Sequence, residues 1–337
     1  MILNKAKSEI IKSNVPGYSL AVVFQTNFST MPPMNTKPLI IDTDMAAGLD
    51  VVGDRWALLI LRDAFLGRTR FEQFRQHTGA SRTTLTRRLE SLLQADVLYK
   101  KSLGKRFEYK LTEKGLGLFQ ASLLSWNWES KWTDVSPEVL PVSLFHTACG
   151  HALVPKAVCH HCQQALQVGD VKWPELVTAI DSQFSTMQSF NKRRVRASAV
   201  TDSQDLSLAY VSDLIGDRWT LMLLIASFLA ENRYDGFQKN LNIASNILTD
   251  RLNLLVDVNV FKRHRYQDNP PRYEYRLTQK GKSLYPLVMV IRQWVLQWLP
   301  NANETLIHKQ CGQPLNIDVQ CGECGDVPAM QGVTFKS

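Results

Sequence analysis

Cysteine is scarce in this chain of 337 residues, and its scarcity is patterned: all six lie within 149–162 or 311–324. Three per cluster suits local disulfides poorly, and C-x-x-C pairs in an intracellular chain point to metal or redox chemistry instead. Long apolar runs are also missing; none approaches the roughly 18–20 residues that span a bilayer. The short run YSLAVVF at 18–24 follows a few lysines. It is too brief for a convincing signal peptide, and no clear small-residue cleavage site follows it. No cofactor fingerprint is present, and neither H-x-E nor H-E-x-x-H accompanies the cysteines, so no catalytic residues are named and no enzyme is expected. What remains is a globular composition, 45% hydrophobic and 21% charged, long enough for two domains. Residues 1–42 read as a poorly ordered extension and the protein as cytoplasmic. A net charge of +8 favours an acidic partner such as nucleic acid.

The chain repeats itself. GDRW occurs at 53–56 and again at 216–219, and LTRRLESLLQADVL (85–98) answers to LTDRLNLLVDVNVF (248–261), both 163 positions apart. FEYKLTEKG (107–115) then matches YEYRLTQKG (273–281) at an offset of 166, and the cysteine clusters match at 162. Three residues have entered the second copy around YQDNPPR, which marks a surface turn. Two tandem copies of one domain follow.

Within each copy the order of elements is readable. GDRWALLILRDAF has helical spacing, with Trp56, Leu59, Ile60 and Leu61 available for a core. A short segment from Phe71, a turn at Gly79 and an N-cap at Ser81 lead into a helix whose Leu85, Leu89, Leu92 and Leu93 share one face. VLYKKS and KRFEYKLT, joined at Leu103-Gly104, predict a β-hairpin, after which Thr112 caps a helix running to about Trp132. Helix, short helix, helix, ribbon, helix is the order of a winged helix-turn-helix. GDRW itself reads as structural: Asp54 and Arg55 pair or cap, and Trp56 is core. The Trp126/Trp128/Trp132 stripe is a candidate surface for packing copy on copy.

These blocks, GDRW, the Leu-Thr-x-Arg-Leu helix and the (F/Y)-E-Y-x-L-T-x-K-G wing exit, resemble the HxlR-type family of bacterial transcription regulators over roughly 45–133 and 208–299. The resemblance implies winged helices that pair on DNA. Many members carry a cysteine just before the GDRW-like block, which serves redox sensing in some; neither copy has one there.

In a helix-turn-helix the second helix enters the major groove. With the leucines facing the core, Arg82, Thr83, Thr84, Thr86 and Arg87 fall on or beside the open face, and Arg87 is the leading base reader because arginine pairs bidentately with guanine. Lys100, Lys101, Lys105 and Arg106 of the wing are candidate backbone or minor-groove contacts. The second copy offers Ser245, Asn246, Thr249 and Arg251 on its helix, with Lys262, Arg263, Arg265 and Arg272 on its wing. Asp250 stands where the first copy has Arg87, and the net charge falls from +7 over 68–114 to +3 over 231–280. The copies are therefore expected to differ in affinity and base preference.

Both cysteine clusters fit His-x2-Cys-x9-Cys-x2-Cys. The expected partition is His146, Cys149, Cys159 and Cys162 in one site, and His308, Cys311, Cys321 and Cys324 in the other. Two close pairs of thiolate and imidazole ligands suit tetrahedral structural zinc, two ions per chain. His151, His160 and His161 remain alternatives to His146.

The expected architecture is mainly α (α+β). It comprises a winged helix at 43–133, a zinc-ribbon-like element at 134–170, a helical linker at 171–204 and a second winged helix at 205–299, with a second ribbon at 300–328. The linker is expected to be helical to about Phe190 and then basic (NKRRVR). The expected function is sequence-specific regulation on double-stranded DNA, with the copies as a pseudo-dimer or the chain as a homodimer. The alternatives are a winged-helix protein-interaction module with little DNA affinity and, much less favoured, a zinc enzyme.

Overall fold

The structure, a computed structural model, describes residues 51–104, 106–133, 143–173, 209–298 and 305–336. The N-terminal extension, Lys105, and the helical and basic parts of the linker lie outside the described residues.

The first copy runs α1 (Arg55–Phe65), α2 (Phe71–Thr78), α3 (Arg82–Gln94), β1 (Leu98–Leu103), β2 (Arg106–Leu111), α4 (Glu113–Leu116) and α5 (Phe119–Trp132). The second runs α6 (Ala209–Ile215), α7 (Arg218–Phe228), α8 (Tyr234–Leu241), α9 (Ser245–Asp257), β6 (Phe261–Gln267), β7 (Arg272–Leu277), α10 (Gln279–Lys282) and α11 (Tyr285–Trp298). This is the winged helix-turn-helix order, twice.

Local chemistry explains the elements. Asp54 caps α1 by accepting from the backbone of Trp56 and Ala57, and Ser81 caps α3 by accepting from Thr84 N at 3.2 Å. Leu85, Leu89 and Leu92 are buried as the spacing predicts, while Leu93 and Trp56 are only half-buried. The wing closes with Leu103 opposite Arg106, so Leu103 is the last residue of β1 rather than part of the turn. Thr112 caps as expected, but it caps the short α4; the continuous helix expected to Trp132 is interrupted at Gly117 before α5 begins. Gly115 and Gly281 explain the repeated Lys-Gly. A Cβ there would sit 2.2 Å from the carbonyl of Val97 and 2.3 Å from that of Val260, so only glycine lets the wing exit lie against the residue that leads into β1 or β6.

The copies share one continuous core. Trp128 and Trp294 are its reciprocal bolts: Trp128 Nε1 donates to the Lys280 carbonyl at 3.2 Å, and Trp294 Nε1 to the Lys114 carbonyl at 2.8 Å. Each residue of one bond has its repeat-equivalent in the other, the signature of an isologous contact. Of the Trp126/Trp128/Trp132 stripe, Trp128 makes this contact between the copies.

The C-terminal elements continue this reciprocity. The first supplies β3 (Ser143–His146), β4 (Pro155–Cys159) and β5 (Val171–Lys172), the second β8 (Ile307–His308), β9 (Ile317–Cys321) and β10 (Val333–Lys336). Among the described residues of these C-terminal elements no strand pairs with another strand of its own copy: β3 pairs with β10, β4 with β9 and β5 with β8, all antiparallel. Val171 and Lys172 therefore belong to the ribbon rather than the linker, and the second ribbon extends past 328 to Lys336. Backbone bonds repeat the exchange: Thr147 N donates to Gly332 O at 2.9 Å, and its equivalent Lys309 N to Asp170 O at 2.7 Å.

Candidate nucleic-acid interface and metal centres

The recognition helices are held by a pair of residues that GDRW half-announces. Asp54 accepts from Arg88 of α3 at 2.8 Å, and Asp217 accepts two bonds from Arg251 of α9, at 2.8 and 2.9 Å. One carboxylate thus caps the first helix and anchors the recognition helix. Burial lowers the pKa of Arg88 while Asp54 opposes that shift. The sequence places Arg251 on the DNA face, but it is the equivalent of Arg88, and its guanidinium is spent on Asp217. The signal lies in the sequence, since Asp and Arg recur together in both copies. Arg55, expected to pair or cap within its own motif, instead reaches Asp213 of the other copy at 2.8 Å.

On the open face of α3, Thr83, Thr86 and Arg87 are exposed, and Thr84 is half-buried beside Ser81. Arg82 is also exposed, but its guanidinium bonds Glu72 at 2.7 Å and lies over Phe71. The wing presents Lys100, Lys101 and Arg106 to solvent, together with the exposed apolar Leu103 and Phe107. In the second copy Ser245, Asn246, Thr249 and Asp250 are exposed, with the Thr249 hydroxyl 3.1 Å from Tyr234 Oη. On its wing Lys262, Arg263, Arg265 and Arg272 are exposed; Arg263 covers Tyr273, and Arg265 turns back on Asp268 at 3.1 Å.

The eight cysteine and histidine ligands come together in two groups, but not in the partition expected from the spacing. One group is His146 and Cys149 with Cys321 and Cys324; the other is Cys159 and Cys162 with His308 and Cys311. The strand exchange is the cause: β4 against β9 and β3 against β10 carry each C-x-x-C to the other copy's His-x2-Cys. Sequence spacing could not reveal this, because both copies carry identical sets. In the first group Sγ of Cys149 and Cys321 are 3.9 Å apart, and His146 Nδ1 lies 3.6 and 3.3 Å from Cys149 and Cys324. In the second, Cys159 and Cys311 are 3.9 Å apart, and His308 Nδ1 is 3.4 Å from both Cys162 and Cys311. A tetrahedral ion with bonds of about 2.3 Å to sulfur and about 2.0 Å to nitrogen needs edges of about 3.8 Å (S to S) and about 3.5 Å (N to S). The donor sets fit. His151, His160 and His161 are exposed and stand outside both groups, His160 meeting Asp318 at 2.8 Å.

Where the copies meet, Glu129 is fully buried and accepts from the backbone N–H of Tyr210 and Val211. Burial pushes its carboxyl up to about 7, against the pull of those two donors and of Arg62. Nothing in the sequence marks it.

The HxlR-like helix-turn-helix family model matches residues 51–137 and 214–303, the two winged helices just described. The chain belongs to this family. As an HxlR-like protein it is a DNA-binding transcription regulator with its two helix-turn-helix domains in tandem. It is similar to the HTH-type transcriptional regulator Rv3095 of Mycobacterium tuberculosis, 34% identical over 38% of this chain and 83% of that protein. It is also similar to the HTH-type transcriptional regulator YvaP of Bacillus subtilis, 31% identical over 26% of this chain and 82% of the relative. Among solved structures, PA1607, a candidate transcription factor, is 34% identical with a TM-score of 0.35, covering 39% of this HxlR-like chain and 92% of its own. No helix among the described residues is long and apolar enough to cross a membrane.

Proposed function

We propose that this regulator reads an imperfect inverted repeat as a single-chain pseudo-dimer, with α3 and α9 in major grooves about one helical turn apart and the wings on the backbone. The observation that carries this reading is the reciprocal packing of the copies, Trp128 on Lys280 and Trp294 on Lys114, which gives one chain the pairing that a DNA reader of two half-sites needs. In the first half-site Arg87 reads a base, Thr83 and Thr86 lie beside it, and Lys100, Lys101, Lys105 and Arg106 serve the phosphates; Arg82 and Thr84 contribute from the first turn. In the second, Asn246, the equivalent of Thr83, reads a base while Asp250 stands in place of Arg87, with Ser245 and Thr249 beside it and Arg263, Arg265 and Arg272 on the wing. Arg251 anchors α9 and takes no part in base reading. The compartment is the cytoplasm, and the role is regulatory rather than catalytic.

The eight ligands would hold two zinc ions. Three thiolates and one imidazole close a tetrahedral site, so the ion supplies a fixed link between segments of chain. Support comes from the donor distances and from their repetition in both groups.

Selection of bound sequences from a random pool, followed by footprinting, tests the DNA reading. The expected result is one asymmetric two-half site per chain and binding that falls steeply with salt as phosphate contacts release counterions. Salt-independent binding, or none, would instead favour a protein-interaction module.

A further inference from the structure

We propose that each zinc ion is shared between the two copies, taking its His-x2-Cys pair from one copy and its Cys-x2-Cys pair from the other. The ions then act as cross-links of the pseudo-dimer, and neither copy forms a metal site alone. This rests on the zinc reading above and goes beyond it.

Three independent features of the fold converge on sharing. The ribbon's ladders are exchanged between the copies: His146 lies opposite Val333, and its repeat-equivalent His308 lies opposite Val171. The β4–β9 ladder is centred on Ala157 opposite Val319, which are themselves repeat-equivalents, so a local two-fold passes through that rung. Under that symmetry a ligand set drawn from both copies maps onto the other set.

The backbone around the knuckles crosses in the same sense. Gly322 N, just after Cys321, donates to Val154 O at 2.9 Å, and its equivalent His160 N, just after Cys159, to Asn316 O at 2.8 Å. Each C-x-x-C knuckle is thus tied to the other copy by the backbone itself.

The third feature is packing. Leu144, Leu153 and Cys321 cluster with Phe119 and Leu123 of α5, while Ala157, Leu166, Val171, Leu306, Ile317 and Val319 join the core that the two copies share. Metal ligation then ties together segments that are already packed across the copies. The ribbon also grips the second copy's terminal helix, since the Gln293 side chain of α11 accepts from Ile317 N at 2.7 Å and donates to Ile317 O at 2.9 Å. The ions therefore fasten an element that touches both helices through which the copies pair.

Ion counting by native mass spectrometry, on chain purified without chelators, distinguishes the arrangements. The unmutated chain is expected to carry two zinc ions, one for each ligand group. The absence of any would overturn the zinc reading and this inference with it. C149S/C324S damages one shared site and is expected to retain one ion, whereas C149S/C162S damages both and is expected to retain none. The reverse pattern would overturn sharing and leave zinc standing. If both variants lose every ion through misfolding, the unmutated chain loaded with cadmium-113 decides. One cadmium coupled to the Hβ protons of Cys149, Cys321 and Cys324 upholds the proposal; one coupled to Cys149, Cys159 and Cys162 overturns it.

Discussion

At three equivalent positions the copies fill the same space with opposite chemistry. The first copy buries Arg62 and Asp63 on α1 and Glu129 on α5, where the second buries Ile225, Ala226 and Val295. Arg62 bonds Asp63 at 2.7 Å, and Arg68 reaches the same carboxylate at 2.9 Å; the repeat-equivalent of Arg68 is Glu231, which instead accepts from the backbone of Asn232 and Arg233. On the DNA face the contrast continues, with Arg87 exposed in one copy and Asp250 in the other. Two chemistries on one backbone show what the winged fold demands, namely the leucine face, the cap and the anchor, and what it leaves free.

The largest effect should come from removing half of the buried charge pair. Asp63→Ala deletes the carboxylate that faces Arg62, only 4% exposed, and is expected to cost about 3–5 kcal/mol in urea unfolding. Adding Arg62→Ile, which grafts the second copy's solution, should recover most of that loss. A double variant no more stable than Asp63→Ala would show that the first copy needs its charges.

Glu129 should make stability depend on pH in a way that Val295 cannot. Its carboxyl titrates at about 7 in the folded chain against a usual 4.5, so folding takes up a proton. The resulting stabilisation is fully present below the unfolded value and is lost as pH rises through about 7. Between pH 5 and 8 unfolding free energy should fall by up to about 3 kcal/mol. Glu129→Gln should flatten that slope; an unchanged slope would move its origin to another carboxyl raised by burial, such as Asp213, pushed up to about 6, or Asp63.

On DNA, Arg87→Ala should weaken operator binding by about 1–3 kcal/mol, whereas Asp250→Ala should leave it unchanged or tighter. Asp250→Arg should tighten binding further and shift the selected site towards a symmetric repeat. Gel titration measures all three, and equal losses from both alanine variants would abolish the distinction between half-sites.

The smallest effect concerns the wings. Lys100→Ala should lower the salt slope by about one counterion, while Arg265→Ala, whose guanidinium already faces Asp268, should change it less.

Much of the fold is legible in the sequence, and so is the exposure of Thr83, Thr86 and Arg87 on the open face of α3. Leucine periodicity locates α3 and α9, threonine and serine caps mark helix starts, and the changing offset exposes the longer second wing. Pairing in space is not legible there. Identical ligand spacings in both copies make exchanged and unexchanged sites indistinguishable along the chain. Glu129 is silent because a glutamate on a helix normally faces water; only the arrival of α6 buries it.

The carboxylate of Asp54 spans two helices, and so does that of Asp217. Because the tilt of the reading helix is pinned from behind, its front face can change without moving it. Arg87 and Asp250 are such a difference between the copies, beside Arg88 and Arg251, which are the same in both. If α3 and α9 read the two half-sites as proposed, rewriting the preferred operator is a matter of side chains at 83, 86, 87, 246 and 250 on a mount that stays put, and each half-site can be retuned independently within a single gene.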